Sequence, residues 1–411
     1  MADKLTDADL VYVMQARREF KDMAEMSQAI GLSIRAIRER IAMAKSRNIT
    51  ADTKIVDPVK SAQIRIKILE RTLAETQKHN DTAESIRREI YNIAERDANP
   101  PKWLTTKKGS GTPGTPMTIW SDWHYGEVVN PSEVGGLNEF NSKIAAERIK
   151  RLADRTVRLA KGFAFKEYGK DVKFPGIVVC LGGDMISGDI HEELADTNDR
   201  KPMECIDELV DLIAAALAQL ADEFGKVFVP CVVGNHGRTT KKPRMKGRII
   251  TSYEWNLYCS LNRHFRNDPR IQFFIPNETD AYFEVAGIPF LLTHGDGLGV
   301  KGGDGIIGAI GPITRGVMKV MRSYEQIGKP IAKVIMGHWH QELWLPGSIV
   351  NNALKGYDEY ARLMLRAPFD RPGQNLWFVH PEQGITARMQ VYVDDLKNKP
   401  RKDTSWVKWA S

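Results

Sequence analysis

The sequence predicts an α/β protein that follows a small, all-α N-terminal region. From Met117 onward, short apolar, β-rich runs alternate with helical segments, whereas residues 1–100 show helical periodicity. Composition agrees, because 411 residues of which 42% are hydrophobic and 27% charged are typical of a globular protein with two or three domains. The same composition excludes a largely disordered chain.

Residues 1–50 form the first predicted unit, which resembles a helix-turn-helix. One helix ends at Gly31, which can adopt the left-handed C-cap conformation, and Ser33 is a good N-cap for the next. The apolar positions of that second helix share one face: Ile34, Ile37 and Ile41. Three arginines lie away from this face and are the candidate nucleic-acid contacts: Arg35, Arg38 and Arg40. The alternative is a packing or dimerisation module, because the motif is also reused for protein contacts.

The spacing of apolar residues over 51–100 predicts a helical hairpin or coiled-coil segment. Residues 80–84 interrupt it, since they can end one helix and cap the next. This segment either mediates homo-oligomerisation through residues 58–97 or packs on its neighbours. Residues 101–116 are rich in Gly, Pro and Thr and predict a linker, so we place the main domain boundary there. The α/β domain is expected over 117–396, followed by a basic tail at 397–411 that is either loose or a contact arm.

The α/β domain contains five apolar runs that predict buried strands. They are residues 117–120, 176–181, 227–233, 288–292 and 331–336. Helices are predicted between and around them, near residues 140–162, 202–224, 249–267 and 305–325. Two of the four cysteines, Cys180 and Cys231, lie within the strands and are expected to be buried small hydrophobes.

Polar side chains that can bind metals follow each of the five strands. They are Asp122 and His124, Asp184, Asn235 and His236, His294 and Asp296, and His338 and His340. Ligands of open α/β sheets gather beyond the carboxyl ends of the strands, so these clusters are expected in one crevice. Carboxylates, imidazoles and an amide without thiolates suit manganese, iron, zinc or nickel. Two ions about 3.5–4 Å apart that share a carboxylate would use the whole set and can clamp a phosphoryl group.

These blocks resemble the calcineurin-like metallophosphoesterase superfamily, whose pattern is D-x-H, G-D, G-N-H followed by an acid, a lone H, and G-H-x-H. The chain carries all five blocks in order, and the resemblance covers roughly Met117 to Val393. It implies two β-sheets packed face to face with helices outside. It also implies two divalent transition metal ions, with manganese as the first candidate.

The resemblance implies a role for each matching residue. Asp122, His124 and His340 would hold the first metal ion. Asn235, His294 and His338 would hold the second, and Asp184 would bridge both. His236 would be the catalytic residue that faces the scissile phosphate and stabilises or protonates the leaving oxygen.

One position departs from the family pattern. Gly237 and then Arg238 follow G-N-H, where the family has an acid that orients the histidine. Either another acid, such as Asp296, supplies that contact, or His236 is tuned differently.

Three features beside the metal ligands favour a nucleic-acid substrate. The first is the helix-turn-helix-like unit, and the second is the basic run 238–248, which places six basic residues in eleven after G-N-H. The third is the mild positive net charge of +7. The candidate substrate contacts are Arg238, Lys241, Lys242, Arg244 and His191. The alternatives are a solvated basic loop and a surface histidine. The glycines of residues 301–305 lack the Walker spacing and predict an ordinary loop.

The sequence therefore predicts a two-metal phosphodiesterase that acts on DNA, similar to the nucleases of the superfamily and phage-like in architecture. One alternative is a phosphomonoesterase on protein or small-molecule phosphates, with the N-terminal unit used for docking. Another is a DNA-binding regulatory or structural protein with a degenerate metal core. With no C-x-x-C pair, signal-peptide pattern or apolar span, the chain is expected to be cytoplasmic and without membrane contact.

Overall fold

The computed structural model describes residues 7–53, 114–163, 174–298 and 309–395. The chain divides into two compact units, residues 1–96 and 97–411, each of which is described by itself. Nearly all of the predicted hairpin at 51–100 and of the linker at 101–116 lies outside the described residues, as do the glycines of 301–305 and the tail at 397–411.

Within residues 7–53, the N-terminal unit forms three helices: α1 (Asp7–Glu19), α2 (Met23–Ile30) and α3 (Ile34–Ser46). Both predicted caps are confirmed, because Gly31 has φ 68° and the Ser33 side chain accepts a hydrogen bond from the Ala36 N–H. Ile37 is fully buried against α1 and α2, and Ile41 packs on the same cluster. Ile34 is 36% exposed, because it is the first residue of α3 and lies one turn before the buried part of the face.

The first sheet of the C-terminal unit has the order β11-β10-β1-β2-β3-β4. Its central strands are parallel, and β10 and β11 extend it in antiparallel pairing. The strands are β1 (Thr115–Trp120), β2 (Ile177–Leu181), β3 (Val227–Pro230), β4 (Ile271–Phe274), β10 (Gly373–His380) and β11 (Gly384–Tyr392).

The second sheet has the order β5-β6-β7-β9-β8, with parallel pairing of β6, β7 and β9 and an antiparallel strand at each edge. Its strands are β5 (Ala281–Val285), β6 (Ile288–Leu292), β7 (Lys333–Met336), β8 (Leu343–Trp344) and β9 (Ser348–Val350). The five predicted strands are therefore present with shifted ends. The strand at Val227 stops at Pro230, after which Cys231 continues only as a single bridge to Leu181.

The helices of the C-terminal unit include the four that the sequence predicts. They are α4 (Ser142–Arg158), α5 (Glu192–Thr197), α6 (Pro202–Phe224), α7 (Tyr253–His264), α8 (Ile310–Glu325) and α9 (Glu359–Leu363). A π-helical turn at Leu159–Phe163 follows α4, and a 3₁₀ turn at Ile249–Thr251 precedes α7. Among the described residues, no helix is both long and apolar enough to cross a bilayer.

Alternating side chains of the strands build separate cores on the two faces of each sheet. Val178 and Cys180 of β2 pack with Phe290 of β6 between the sheets, whereas Val179 packs on the other face, in the cluster that includes α4, α6 and α7. On the far side of the second sheet, Val334 packs with Val317 of α8. The predicted sandwich of two sheets flanked by helices is thus confirmed, and Cys180 and Cys231 are buried, unpaired thiols as expected.

Candidate metal centre

The metal-binding side chains that the sequence predicts lie on five loops beyond the carboxyl ends of β1, β2, β3, β6 and β7. Backbone hydrogen bonds join these loops to one another. Asp122 N–H donates to Gly183 O at 3.0 Å, and His124 N–H donates to Asp184 O at 3.0 Å. In the second sheet, Gly337 N–H donates to His294 O at 3.0 Å. Backbone hydrogen bonds therefore join the loop after β1 to the loop after β2, and the loop after β6 to the loop after β7.

The ligand atoms converge in three groups, within each of which they lie no more than 4.8 Å apart. The groups are Asp122, His124 and His340; His124, Asp184 and His236; and Asp184, His294 and His338. Asn235 joins the third group through its Oδ1, which lies 3.2 Å from His294 Nε2. Asp184 belongs to the second and third groups and His124 to the first and second, so these two residues connect all three groups.

Each of the two carboxylates is held by the backbone of a neighbouring ligand loop. Asp122 Oδ1 accepts the His338 N–H at 2.8 Å, and Asp184 Oδ1 accepts the His236 N–H at 2.8 Å. Ser121 Oγ donates to Asp122 Oδ2 at 2.5 Å. These bonds fix the carboxylates before any ligand binds, which is the arrangement of a preorganised site.

Ring nitrogens of the histidines and the amide oxygen of Asn235 lie close to one another. His124 Nε2 and His340 Nε2 are 3.1 Å apart, although each neutral ring has only one N–H to share. His294 Nδ1 lies 2.9 Å from Gly182 O, which places its proton there and leaves Nε2 facing Asp184 Oδ2 at 3.0 Å. A divalent cation is the natural partner for such converging acceptors, and imidazole with carboxylate suits the first-row transition metals.

The backbone at this centre is in an unusual conformation. Five of its residues have the left-handed φ values that side chains other than glycine rarely adopt. They are Asp122 at 54°, His124 at 48°, Asp184 at 50°, His338 at 69° and His340 at 51°. Strained backbone of this kind persists only where the surrounding structure enforces it, and it concentrates at functional sites.

Charge and burial divide the histidines into two classes. The Asp184 carboxylate outweighs the effect of burial and raises the pKa of His294 to about 10. Burial, with the charge on His294, lowers the pKa of His338 to about 4, and burial also lowers the pKa of His124 and His236. Of the four imidazoles with a shifted pKa, three are therefore neutral at pH 7. The fourth, His294, is protonated and must release a proton when it binds a metal.

The Asp184 carboxylate packs directly against the backbone of Gly234, where a larger residue would collide with it. A Cβ on Gly234 would overlap Asp184 Oδ1 and lie 2.7 Å from Asp184 Cγ. We expect Gly234→Ala to lower the unfolding free energy by about 1–3 kcal/mol and to reduce bound manganese, since the carboxylate must move. Thermal denaturation and metal analysis measure both effects. Gly297→Ala, where nothing lies within 4 Å of the added carbon, is the matched control, and equal behaviour of the two variants would contradict the prediction.

His236 is oriented by a backbone carbonyl rather than by the expected acid. Its Nδ1 lies 2.8 Å from Ser187 O, and its ring packs edge-on to His124 with the centroids 4.6 Å apart. Asp296, which we considered as a replacement acid, instead pairs with Arg248 at 2.9 Å. The suggestion that Asp296 orients His236 was therefore wrong, because Asp296 forms an ion pair with Arg248 of the basic loop.

The predicted substrate contacts have different environments. Arg238 donates to the carbonyls of Asn235, Thr240 and Lys241, so its guanidinium holds the loop together. Lys242 and Arg244 are exposed and form no ion pair with any described residue, whereas Lys241 lies 3.6 Å from Glu192. The His191 ring lies 5.6 Å from that of His236, centroid to centroid.

The candidate nucleic-acid contacts of the N-terminal unit lie on α3. Arg35 is exposed and pairs with Glu39 at 2.9 Å, Arg38 is exposed, and Arg40 is half-buried.

Sequence reasoning missed a buried charge cluster behind His124. Lys355 Nζ lies 2.7 Å from Glu127 and 2.6 Å from Asp358, and all three side chains are buried. Glu127 Oε2 lies 3.4 Å from His124 Nδ1, and both atoms are buried without a hydrogen-bond partner among the described residues. Glu254, which is fully buried under the loops of Asp184 and Asn235, was also missed. No motif marks these residues, because Glu127 lies 228 residues from Lys355, and Glu254 lies 69 and 20 residues from the backbone groups that it binds.

The comparisons with known proteins give limited information. No protein-family model matches the chain, and no curated protein sequence does. A similar solved structure is the phosphopantetheinyl hydrolase PptH from Mycobacterium tuberculosis, with 12% identity over 61% of this chain and 93% of that chain and a TM-score of 0.25. Another is the sulfate thiohydrolase SoxB from Thermus thermophilus, with 9% identity over 70% of this chain and 58% of that chain and a TM-score of 0.29. Both TM-scores are below 0.5, so these likenesses establish neither the family nor the activity.

Proposed function

We propose that this protein is a two-metal phosphodiesterase that hydrolyses DNA. The observation that carries the proposal is the convergence of six of the seven predicted ligands into three groups linked by His124 and Asp184, with Asn235 Oδ1 beside His294. Asp122, His124 and His340 would hold one divalent ion and Asn235, His294 and His338 the other, with Asp184 between them. When bound, such ions neutralise charge on the phosphoryl group and acidify a water molecule, which is the nucleophile.

His236 is the proposed proton-transfer residue. The Ser187 carbonyl keeps the proton of the neutral ring on Nδ1, so Nε2 is the atom available to the leaving oxygen. Burial lowers the pKa of this ring, so in the metal-free protein the neutral form dominates at pH 7. A bound phosphate diester would favour the protonated ring through its negative charge, and the histidine would then act as the acid.

Two surfaces support DNA as the substrate. The basic loop that follows His236 exposes Lys242, Arg244 and Lys246, none of which is neutralised by a described carboxylate. Such cations can each neutralise a backbone phosphate. In the N-terminal unit, a capped turn joins α2 to α3, and Arg35 and Arg38 are exposed on α3, where a recognition helix would carry its nucleic-acid contacts.

A substrate panel tests this proposal. The full-length chain, loaded with manganese, is incubated with labelled single- and double-stranded DNA, linear and circular, beside an aryl phosphate diester and an aryl monoester. We expect cleavage of DNA and of the diester that EDTA abolishes and manganese restores. We also expect the DNA activity, but not that on the aryl diester, to fall as salt is raised from 50 to 200 mM, since only DNA binding depends on released counterions.

The other outcomes separate the alternatives. Turnover of the monoester alone would replace the nuclease with a phosphomonoesterase and make the N-terminal unit a docking module. Salt-sensitive DNA binding without any turnover or bound metal would instead favour the regulatory protein with a degenerate core. Deleting residues 1–108 then shows whether the N-terminal unit or the basic loop binds DNA.

A further inference from the structure

Glu254 connects two of the loops that carry the candidate metal ligands. It is the second residue of α7 and is fully buried. Its Oε1 accepts the Met185 N–H at 2.6 Å and its Oε2 accepts the Gly234 N–H at 2.6 Å. Met185 directly follows Asp184, and Gly234 directly precedes Asn235. One carboxylate therefore sets the spacing between the shared carboxylate and the amide.

The side chain of Glu254 occupies the space beside Gly237. A Cβ on Gly237 would lie 2.6 Å from Glu254 Cγ and 2.8 Å from Glu254 Cδ, which no real side chain tolerates. The backbone of Gly237 is not in the left-handed region, so any residue could adopt its conformation. Ser252 Oγ would lie 2.9 Å from the same Cβ, so glycine is required at 237 by the Glu254 and Ser252 side chains and not by the turn.

Residue 237 and the start of α7 are also joined directly. Tyr253 N–H donates to Gly237 O at 2.7 Å, and Ser252 Oγ donates to the same oxygen at 3.2 Å. An ordinary acid in the first turn of a helix stays near the surface and favours the helix dipole. Glu254 instead directs both oxygens away from its own helix, to backbone N–H groups of the two loops that carry Asp184 and Asn235. Its carboxylate is therefore placed for the loops and not for the helix.

We propose that Glu254 is a positioning residue that holds Asp184 and Asn235 in register for metal binding, from the space that a side chain at residue 237 would otherwise fill. The Glu254 side chain accounts for glycine at 237, whereas the contact that orients His236 comes from Ser187 O. The proposal rests on the metal centre of the proposed function, but it does not depend on DNA as the substrate.

Manganese binding to the metal-free, full-length chain tests the proposal without any substrate. Titration calorimetry gives affinity and stoichiometry, and thermal denaturation of the metal-free protein reports folding. Glu254→Gln keeps the volume but turns an NH₂ group toward a backbone N–H. We expect it to fold and to bind manganese 10–100-fold more weakly, as expected when a residue that orients metal ligands is lost. Glu147→Gln, half-exposed on α4, is the control that should bind as wild type.

A swap of the carboxylate makes the test specific. Gly237→Asp alone should lower the melting temperature, because the new side chain collides with Glu254. Glu254→Ala alone should weaken manganese binding. The double variant Gly237→Asp, Glu254→Ala removes the collision with Glu254, leaves Ser252 Oγ 2.9 Å from the new Cβ, and returns a carboxylate to the same space. We expect it to bind manganese at least tenfold more tightly than Glu254→Ala.

Three results would overturn the proposal. The first is wild-type affinity in Glu254→Gln, which a merely space-filling role predicts. The second is a double variant that binds no better than Glu254→Ala. The third is a wild-type chain that binds no manganese, which would overturn the proposed function as well. If the wild type binds two ions and either of the first two results is obtained, the proposed function is still supported. Only the role of Glu254 is then disproved.

Discussion

Asp184→Asn is expected to abolish the proposed activity while leaving the protein folded. Asparagine has nearly the same volume and can still accept the His236 N–H that Asp184 Oδ1 accepts at 2.8 Å. It removes, however, the negative charge shared by two of the three ligand groups. We expect bound manganese to fall from two ions per chain to one or none. The rate of diester hydrolysis should fall by about 10³-fold, equivalent to several kcal/mol of lost transition-state stabilisation.

Metal analysis and single-turnover hydrolysis measure the two effects. Asp189→Asn is the matched control, because Asp189 is exposed five residues further along the same loop. A variant at 184 that retained two ions and wild-type rates would show that this carboxylate does not bridge metals. Loss of activity together with a large fall in melting temperature would instead show that Asp184 serves folding.

Lys355→Met is expected to produce the largest loss of stability. Lys355 is fully buried between Glu127 and Asp358, with contacts of 2.7 and 2.6 Å. Methionine fills a similar volume but leaves two buried carboxylates without a counter-charge. Breaking a buried ion pair in this way costs about 3–5 kcal/mol. For a unit of this size we expect a fall in melting temperature of about 10 °C.

Calorimetric unfolding measures this cost, and two further variants identify its cause. Lys161→Met removes a half-exposed lysine that pairs with Glu223, and it should cost less than about 1 kcal/mol. Adding Glu127→Gln and Asp358→Asn to Lys355→Met neutralises the stranded charges and should restore at least half of the loss. A shift of under 2 °C for Lys355→Met alone would disprove the buried-charge explanation.

The strands and the ligand blocks were readable in the sequence because both obey local rules. Buried strands such as Ile177–Leu181 are continuous apolar runs, since both faces of each sheet are covered. The blocks that follow them, such as Gly182-Gly183-Asp184, stand out because glycine and metal-binding side chains are adjacent in the chain. The caps at Gly31 and Ser33 were predictable for the same reason, because a cap involves only neighbouring residues.

The antiparallel part of the first sheet was harder to predict. Strand β11 pairs with β10, which directly precedes it, but β10 joins the sheet through β1, far away in the sequence. Strand β1 pairs with β10 across more than 250 residues, from Thr115 to Val379. The sequence pattern alone does not specify such contacts, because many other segments have a similar β propensity.

The amino-acid sequence by itself determined which residues can bind metals, which strands precede them and that the fold is α/β. The folded chain decided how those ligands are supported: Ser187 O orients His236, Asp296 pairs with Arg248, and Lys355 neutralises Glu127 behind His124. Glu254 belongs to the same class, since it acts on backbone groups 69 and 20 residues away. Ligands are recognisable because their chemistry belongs to the residue. Supporting contacts are not, because they depend on which distant groups the fold brings within hydrogen-bond distance.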